Sequence, residues 1–117
     1  MVDAFLGDRG MESTQVLSGM ELHAPSLIDF ELASVLRRLA RTELLSASAA
    51  RDILEQWMNL DVTRHAAEPL LVRIWELRNE FSAYDAAYIA LAEAIDAPLL
   101  TTDKRLAGAA ARYCAIA

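Results

Sequence analysis

The chain has a single cysteine, Cys114, so no internal disulfide can staple it. That thiol sits in an apolar, strand-like tail, where buried packing is its expected role. There are only two histidines. His23 falls on a candidate strand and His65 ends another, so they are not expected to form a metal pair, and with no Cys/His cluster zinc is not the expected metal. No apolar run approaches the ~20 residues of a membrane span. The amino terminus shows no basic region followed by an apolar core, so no signal peptide is visible and the cytoplasm is the expected compartment. Neither a glycine-rich phosphate loop nor a serine-nucleophile elbow is present.

What is there is a hydrophobic, acidic chain. Hydrophobic residues make up 55% and charged residues 24% of 117 residues, which predicts one compact domain over 1–117 and argues against disorder. The net charge of −6 is not that of a general nucleic-acid binder. The charge is uneven, however. Arg37, Arg38 and Arg41 cluster at the end of one predicted helix, and Lys104-Arg105 follow Asp103 directly. Small basic patches beside acids fit a polyanionic substrate and fit an ordinary solvated surface equally well.

The pattern of elements begins with an apolar stub, Met1–Leu6, closed by the turn-like Gly7-Asp8-Arg9-Gly10. A short helix is expected over Glu12–Ser18, ending at Gly19, then a strand over Glu21–Ala24. Ser26 to Arg41 is a strong helix. Ser26 with Asp29 three residues on makes a capping box, and Ile28, Leu32, Val35, Leu36 and Leu39 form the stripe. Ser46 or Ser48 opens a helix to about Asn59, Val62–His65 reads as a strand, and Glu68–Asn79 as a helix with Pro69 in its first turn. Ser82–Asp96 is the next helix, Leu99–Thr102 a strand, Asp103–Ala110 a short helix and Tyr113–Ile116 a last strand. Helices alternating with strands imply crossover connections and a mainly parallel sheet, with ligands at the carboxyl ends of the strands.

Three acids stand out. At 100° per residue, with Asp85 at zero, Ala92 lies at about −20°, Ile89 at about +40° and Tyr88 at about −60°. Asp85 therefore shares the apolar stripe of its helix, where a charge is expensive unless capped, paired or bound to a cation. Ser82-x-x-Asp85 is itself a capping box, so backbone capping is one reading. Glu31 lies about −60° from Ile28, on the flank of its helix's buried stripe, where a boundary residue reaching water is the plain alternative. Asp103 follows Thr101-Thr102 at a strand-to-helix junction, the ordinary place for an N-cap. Together they could meet at one edge of a parallel sheet. Clustered carboxylates repel unless a divalent cation neutralises them, and oxygen-only ligation suits Mg²⁺ or Mn²⁺.

The segments Pro25-Ser-Leu-Ile-Asp-Phe-Glu31-Leu-Ala-Ser-Val-Leu, Ser82-Ala-Tyr-Asp85-Ala-Ala-Tyr-Ile-Ala-Leu-Ala-Glu and Leu99-Leu-Thr-Thr-Asp103-Lys-Arg-Leu resemble the PIN domain. More narrowly, they resemble the VapC toxins of bacterial toxin–antitoxin pairs. The resemblance implies a three-layer α/β fold, a mainly parallel sheet flanked by helices. It implies a Mg²⁺-dependent endoribonuclease, with Mn²⁺ as a substitute, that cleaves RNA with metal-activated water. Glu31, Asp85 and Asp103 match three of the family's four acidic positions and would be its metal ligands and catalytic acids, with Thr102 in support. It also implies a VapB-like antitoxin as partner, and leaves a homodimer open. Family members begin with an apolar strand ending in the first catalytic Asp. Here Met1-Val-Asp-Ala-Phe-Leu-Gly7 is similar to the second half of the following helix, so the first central strand is expected to be missing and the sheet interrupted there. Asp3 as the missing acid is the lesser reading, because only Met1 and Val2 precede it. A catalytically inactive module that keeps only antitoxin binding is the alternative function.

Overall fold

Four strands and five helices alternate along the chain in the computed structural model, which describes residues 14–18 and 21–117. The strands are β1 (Thr14–Ser18), β2 (Glu21–Pro25), β3 (Val62–His65) and β4 (Leu99–Thr101), arranged in the order β3-β2-β1-β4. β2 and β3 pair in parallel, with Leu22 opposite Val62 and Pro25 opposite His65. Parallel neighbours need a long crossover, and α1 (Ile28–Arg41) and α2 (Ala47–Met58) supply it. β1 is antiparallel to both β2 and β4, so β2, β3 and β4 all run the same way. The result is an α/β domain with parallel strands flanked by helices.

Several expectations are corrected. The helix foreseen near Glu12–Ser18 is, over its described part, the strand β1. A seven-residue helix is marginal on its own, whereas an extended Thr14–Ser18 gains backbone hydrogen bonds on both edges. β1 also occupies the centre of the sheet, between β2 and β4, where an interruption was expected. The stub Met1–Leu6, the Gly7–Gly10 turn and Asp3 lie outside the described residues. Ser26 does not cap α1: its N–H donates to the carbonyl of His65 at 2.8 Å, and Leu27 is the cap, without a side-chain bond. Asp29 is drawn elsewhere too. Its Oδ1 accepts from Trp57 Nε1 at 2.7 Å and Arg64 Nη2 at 2.9 Å, and its Oδ2 from Arg64 Nε at 2.7 Å, tying α1, α2 and β3 together. The Glu68–Asn79 helix is broken into a 3₁₀ turn, Glu68–Leu70, and α3, Leu71–Glu76. The strand over Tyr113–Ile116 shrinks to a single bridge between Ile116 and Leu99, closed by hydrogen bonds of Leu99 to Ala115 and Ala117.

The core forms around α4 (Ala83–Ala94). Every residue from Ala86 to Ala92 is buried, so the helix is apolar all round, as one enclosed on every side must be. Its alanines let it lie close against β1, β2, β4 and α3. Tyr88, Ile89 and Leu91 fill the space with Ile28 and Leu32 of α1 and Leu99 of β4. At its end Asp96 takes a left-handed conformation (φ 51°), open to a short polar residue, and turns the chain into β4. The last helix is α5, Lys104–Ala110. Among the described residues no helix is long and apolar enough to cross a membrane.

Candidate active site

Two short-range caps build the site. Ser82, in extended conformation, accepts a hydrogen bond from the Asp85 N–H at 3.1 Å and so starts α4. At the end of β4, Thr101 Oγ1 accepts from the Asp103 N–H at 3.1 Å. Asp103 Oδ1 in turn accepts from the N–H groups of Arg105 at 3.0 Å and Leu106 at 3.1 Å, starting α5. The cap reading of Asp103 is therefore correct, and it does not preclude a second role. Only Oδ1 is engaged there; among the described residues no partner bonds Oδ2.

Asp85 and Asp103 line one cleft of about 280 Å³, together with Glu80, Ser82, Arg105 and Leu106. Burial pushes the half-buried Asp85 carboxyl above the usual carboxylate range, and the neighbouring Asp103 charge pushes it further. Arg105 and the Ser82 hydroxyl pull the other way without cancelling the effect. Glu80 differs: its oxygens accept from Tyr113 Oη and from the Arg112 guanidinium, which hold its carboxyl below the ordinary range.

Glu31 does not line the cleft. It is half-buried on α1, and the fully buried Tyr88 donates its hydroxyl to Glu31 Oε1 at 2.6 Å. Tyr88 follows Asp85 by one helical turn, about 4.5 Å along the axis, so Glu31 is fastened to the helix that carries Asp85. Thr102 is exposed and outside the cleft lining. Thr101, rather than Thr102, orients Asp103. Among the described residues no three His, Cys, Asp or Glu side chains form a metal-holding group. The structure thus brings two of the three predicted acids into one cleft and leaves the third outside it on α1, hydrogen-bonded to Tyr88 of the helix that carries Asp85.

Sequence reasoning passed over Tyr88, Thr101 and Glu80. For Tyr88 the signal was its i+3 spacing from Asp85; Glu80 had none, because its place depends on contacts with the distant Arg112 and Tyr113. The two histidines also meet. The β2–β3 register brings His23 Nδ1 within 2.8 Å of His65 Nε2, and Glu21 lies 3.2 Å from His23 Nε2. Burial, then the His23 charge, depresses the His65 pKa.

The PIN-domain family model matches residues 1–112. A VapC ribonuclease of Mycobacterium bovis is 45% identical over 105 residues, 90% of this chain and 83% of the relative. Ribonuclease VapC9 of Mycobacterium tuberculosis matches to the same extent. Ribonuclease VapC1 of Mycobacterium tuberculosis is 41% identical over 95 residues, 80% of this chain and 71% of the relative. With the parallel strands, the buried α4 and the two capped aspartates, these matches show that the chain belongs to the PIN-domain family, on its VapC branch.

Proposed function

We propose that this protein is the endoribonuclease toxin of a toxin–antitoxin pair, dependent on Mg²⁺ with Mn²⁺ as a substitute. The observation that carries the reading is the Asp85–Asp103 pair. Two carboxylates share a cleft, one is partly desolvated, and the other keeps an oxygen without a protein bond. Such a pair fits a hard divalent cation, which would relieve both the repulsion and the burial cost. Asp85 and Asp103 would hold such a cation, which would supply polarisation of a scissile phosphate and a lowered pKa of water.

Asp85 is the most direct ligand in this reading, because it has the most to gain from neutralisation. Asp103 holds its place through the α5 cap, which uses Oδ1, and would offer Oδ2 to the cation. Glu31, held by the Tyr88 hydroxyl outside the cleft lining, is the third acid of this reading. Thr102 supports a phosphate or water at the rim. The relatives are named ribonucleases, which supports RNA as substrate.

The antitoxin reading rests on an apolar groove of about 170 Å³ between the start of α1, α3 and the first turn of α4. Leu27, Leu70, Leu71, Ile74 and Tyr84 line it, and Leu71 and Tyr84 are 53% and 62% exposed. An exposed apolar surface of this kind suits a Leu-rich helix of a VapB-like antitoxin, and the chain's net charge of −6 favours a basic one. A second copy of the chain is the other candidate occupant, and the cytoplasm is the proposed compartment.

Isothermal titration with Mn²⁺ and cleavage of a mixed-sequence RNA test the reading. The chain should bind Mn²⁺ and cut RNA only with a divalent cation present, and Asp85→Asn should lose both while staying folded. Mn²⁺ binding without cleavage identifies the inactive, antitoxin-binding module instead. Full cleavage by Asp85→Asn rejects the site.

A further inference from the structure

We propose that Arg105 clamps a backbone phosphate of single-stranded RNA at the mouth of the Asp85–Asp103 cleft, a role that rests on the ribonuclease reading. The cleft is acidic within an acidic protein, so a phosphodiester entering it meets repulsion before it reaches any metal. Arg105 is the cation lining that cleft among the described residues.

Its place in the cleft lining, together with a guanidinium that no acid or ring engages, sets it apart: Arg37, Arg41 and Lys104 also bond no acid or ring among the described residues but do not line the cleft. Arg51, Arg64, Arg73 and Arg112 each pair with an acid, and Arg78 stacks on Trp75 at 4.3 Å. The exposed Arg105 guanidinium bonds no acid or ring among the described residues; only its backbone N–H is used, by Asp103. Glu80, the other acid of the cleft, is already occupied by Arg112 and Tyr113. Nor does local stability explain a cation there. Arg105 is in the first turn of α5, where the helix dipole disfavours positive charge. An unpaired guanidinium, placed against its helix's preference beside two aspartates, is suited to an anion that arrives from solution. The planar fork matches two phosphate oxygens at once, which a lysine cannot do. Such a contact fixes the strand's position without reading its bases.

The test is binding of a fluorescently labelled single-stranded RNA to the full chain in EDTA, by anisotropy across a salt series, with Mn²⁺ titrated separately. Losing one phosphate contact should make the slope of log K against log salt shallower by about 0.7. R105Q should therefore show that change and bind RNA about tenfold more weakly at low salt. R105K should keep the slope and lose part of the affinity. R51Q, which removes the same charge from α2, should behave as wild type. Mn²⁺ should bind R105Q at least as tightly as wild type, because a cation has left the neighbourhood of two acids; this also reports that the variant is folded. The proposal is overturned if R105Q matches wild type in slope and affinity, or if it weakens RNA and Mn²⁺ binding together, as a merely structural arginine would. If wild type binds no RNA at all, the ribonuclease reading fails first and this inference falls with it.

Discussion

Replacing Tyr88 by phenylalanine removes one oxygen from a fully buried ring and leaves its volume in place. The oxygen donates to Glu31 Oε1 at 2.6 Å, a short bond to a carboxylate. Hydrogen bonds to charged groups contribute about 1.5–3 kcal/mol, and the half-exposed glutamate can recover part of that from water. The expected loss is therefore about 1–2 kcal/mol. For a chain of this length the unfolding entropy is about 0.25 kcal/mol/K, so Tm should fall by about 4–8 °C. Circular dichroism melts of wild type, Tyr88→Phe, Glu31→Gln and the double variant measure it. The double-mutant cycle should give a coupling of about 1 kcal/mol or more, because the two side chains act as one contact. RNA cleavage by Tyr88→Phe should fall about tenfold through loss of orientation of Glu31. A Tm within about 1 °C of wild type, with no coupling in the cycle, would show that the hydroxyl holds nothing and that Glu31 is positioned by other means.

Asp85→Asn should raise the Tm of the metal-free protein by about 2 °C, because it removes a desolvated charge worth about 0.5 kcal/mol after solvent screening. The same variant should show no further rise on adding Mn²⁺, whereas wild type should; differential scanning fluorimetry reads both. The depressed His65 pKa means that the folded protein binds that proton less readily than the unfolded chain. Its contribution is present above the unfolded value near 6.5 and is lost as pH falls through the folded one. Urea midpoints should drop between about pH 7 and 5, and His65→Gln should flatten that slope. Asp29→Asn should cost about 1 kcal/mol at neutral pH, a figure discounted because both Asp29 and Arg64 are partly exposed. The Arg64 guanidinium and Trp57 hold the Asp29 carboxyl below its usual range, so the variant and wild type should converge as pH falls below about 4.

Periodicity and caps carried most of the architecture. The stripe Ile28, Leu32, Leu36 lies buried as its spacing demands, and Ser46, Ser82 and Asp103 cap the helices that follow them. Where the reading failed, the deciding partner was distant in sequence. β1 is extended because β2 and β4 bond both its edges, and nothing within Thr14–Ser18 says so. Ser26 has the composition of a cap, but its N–H is claimed by His65 across the parallel sheet. Asp29 looked like the other half of that cap and instead binds Arg64 and Trp57. The site divides in the same way. Asp85 and Asp103 were legible as inward acids at helix starts, since capping chemistry is local. The Tyr88–Glu31 bond joins residues on α4 and α1, beyond the reach of any local pattern.

The pairing of β1 with β4 has a consequence for the order of events during synthesis. Thr14 lies opposite Thr101, so this ladder closes a loop that spans most of the chain. Closing a loop of that length costs about 4 kcal/mol of chain entropy before any contact repays it. The β1–β2 pair, by contrast, joins near neighbours and can form early. Asp103 is positioned by the residue that ends β4 and by the α5 backbone that follows. A nascent chain therefore carries Glu31 and then Asp85 before Asp103 exists, and the cleft is assembled only as β4 and α5 dock.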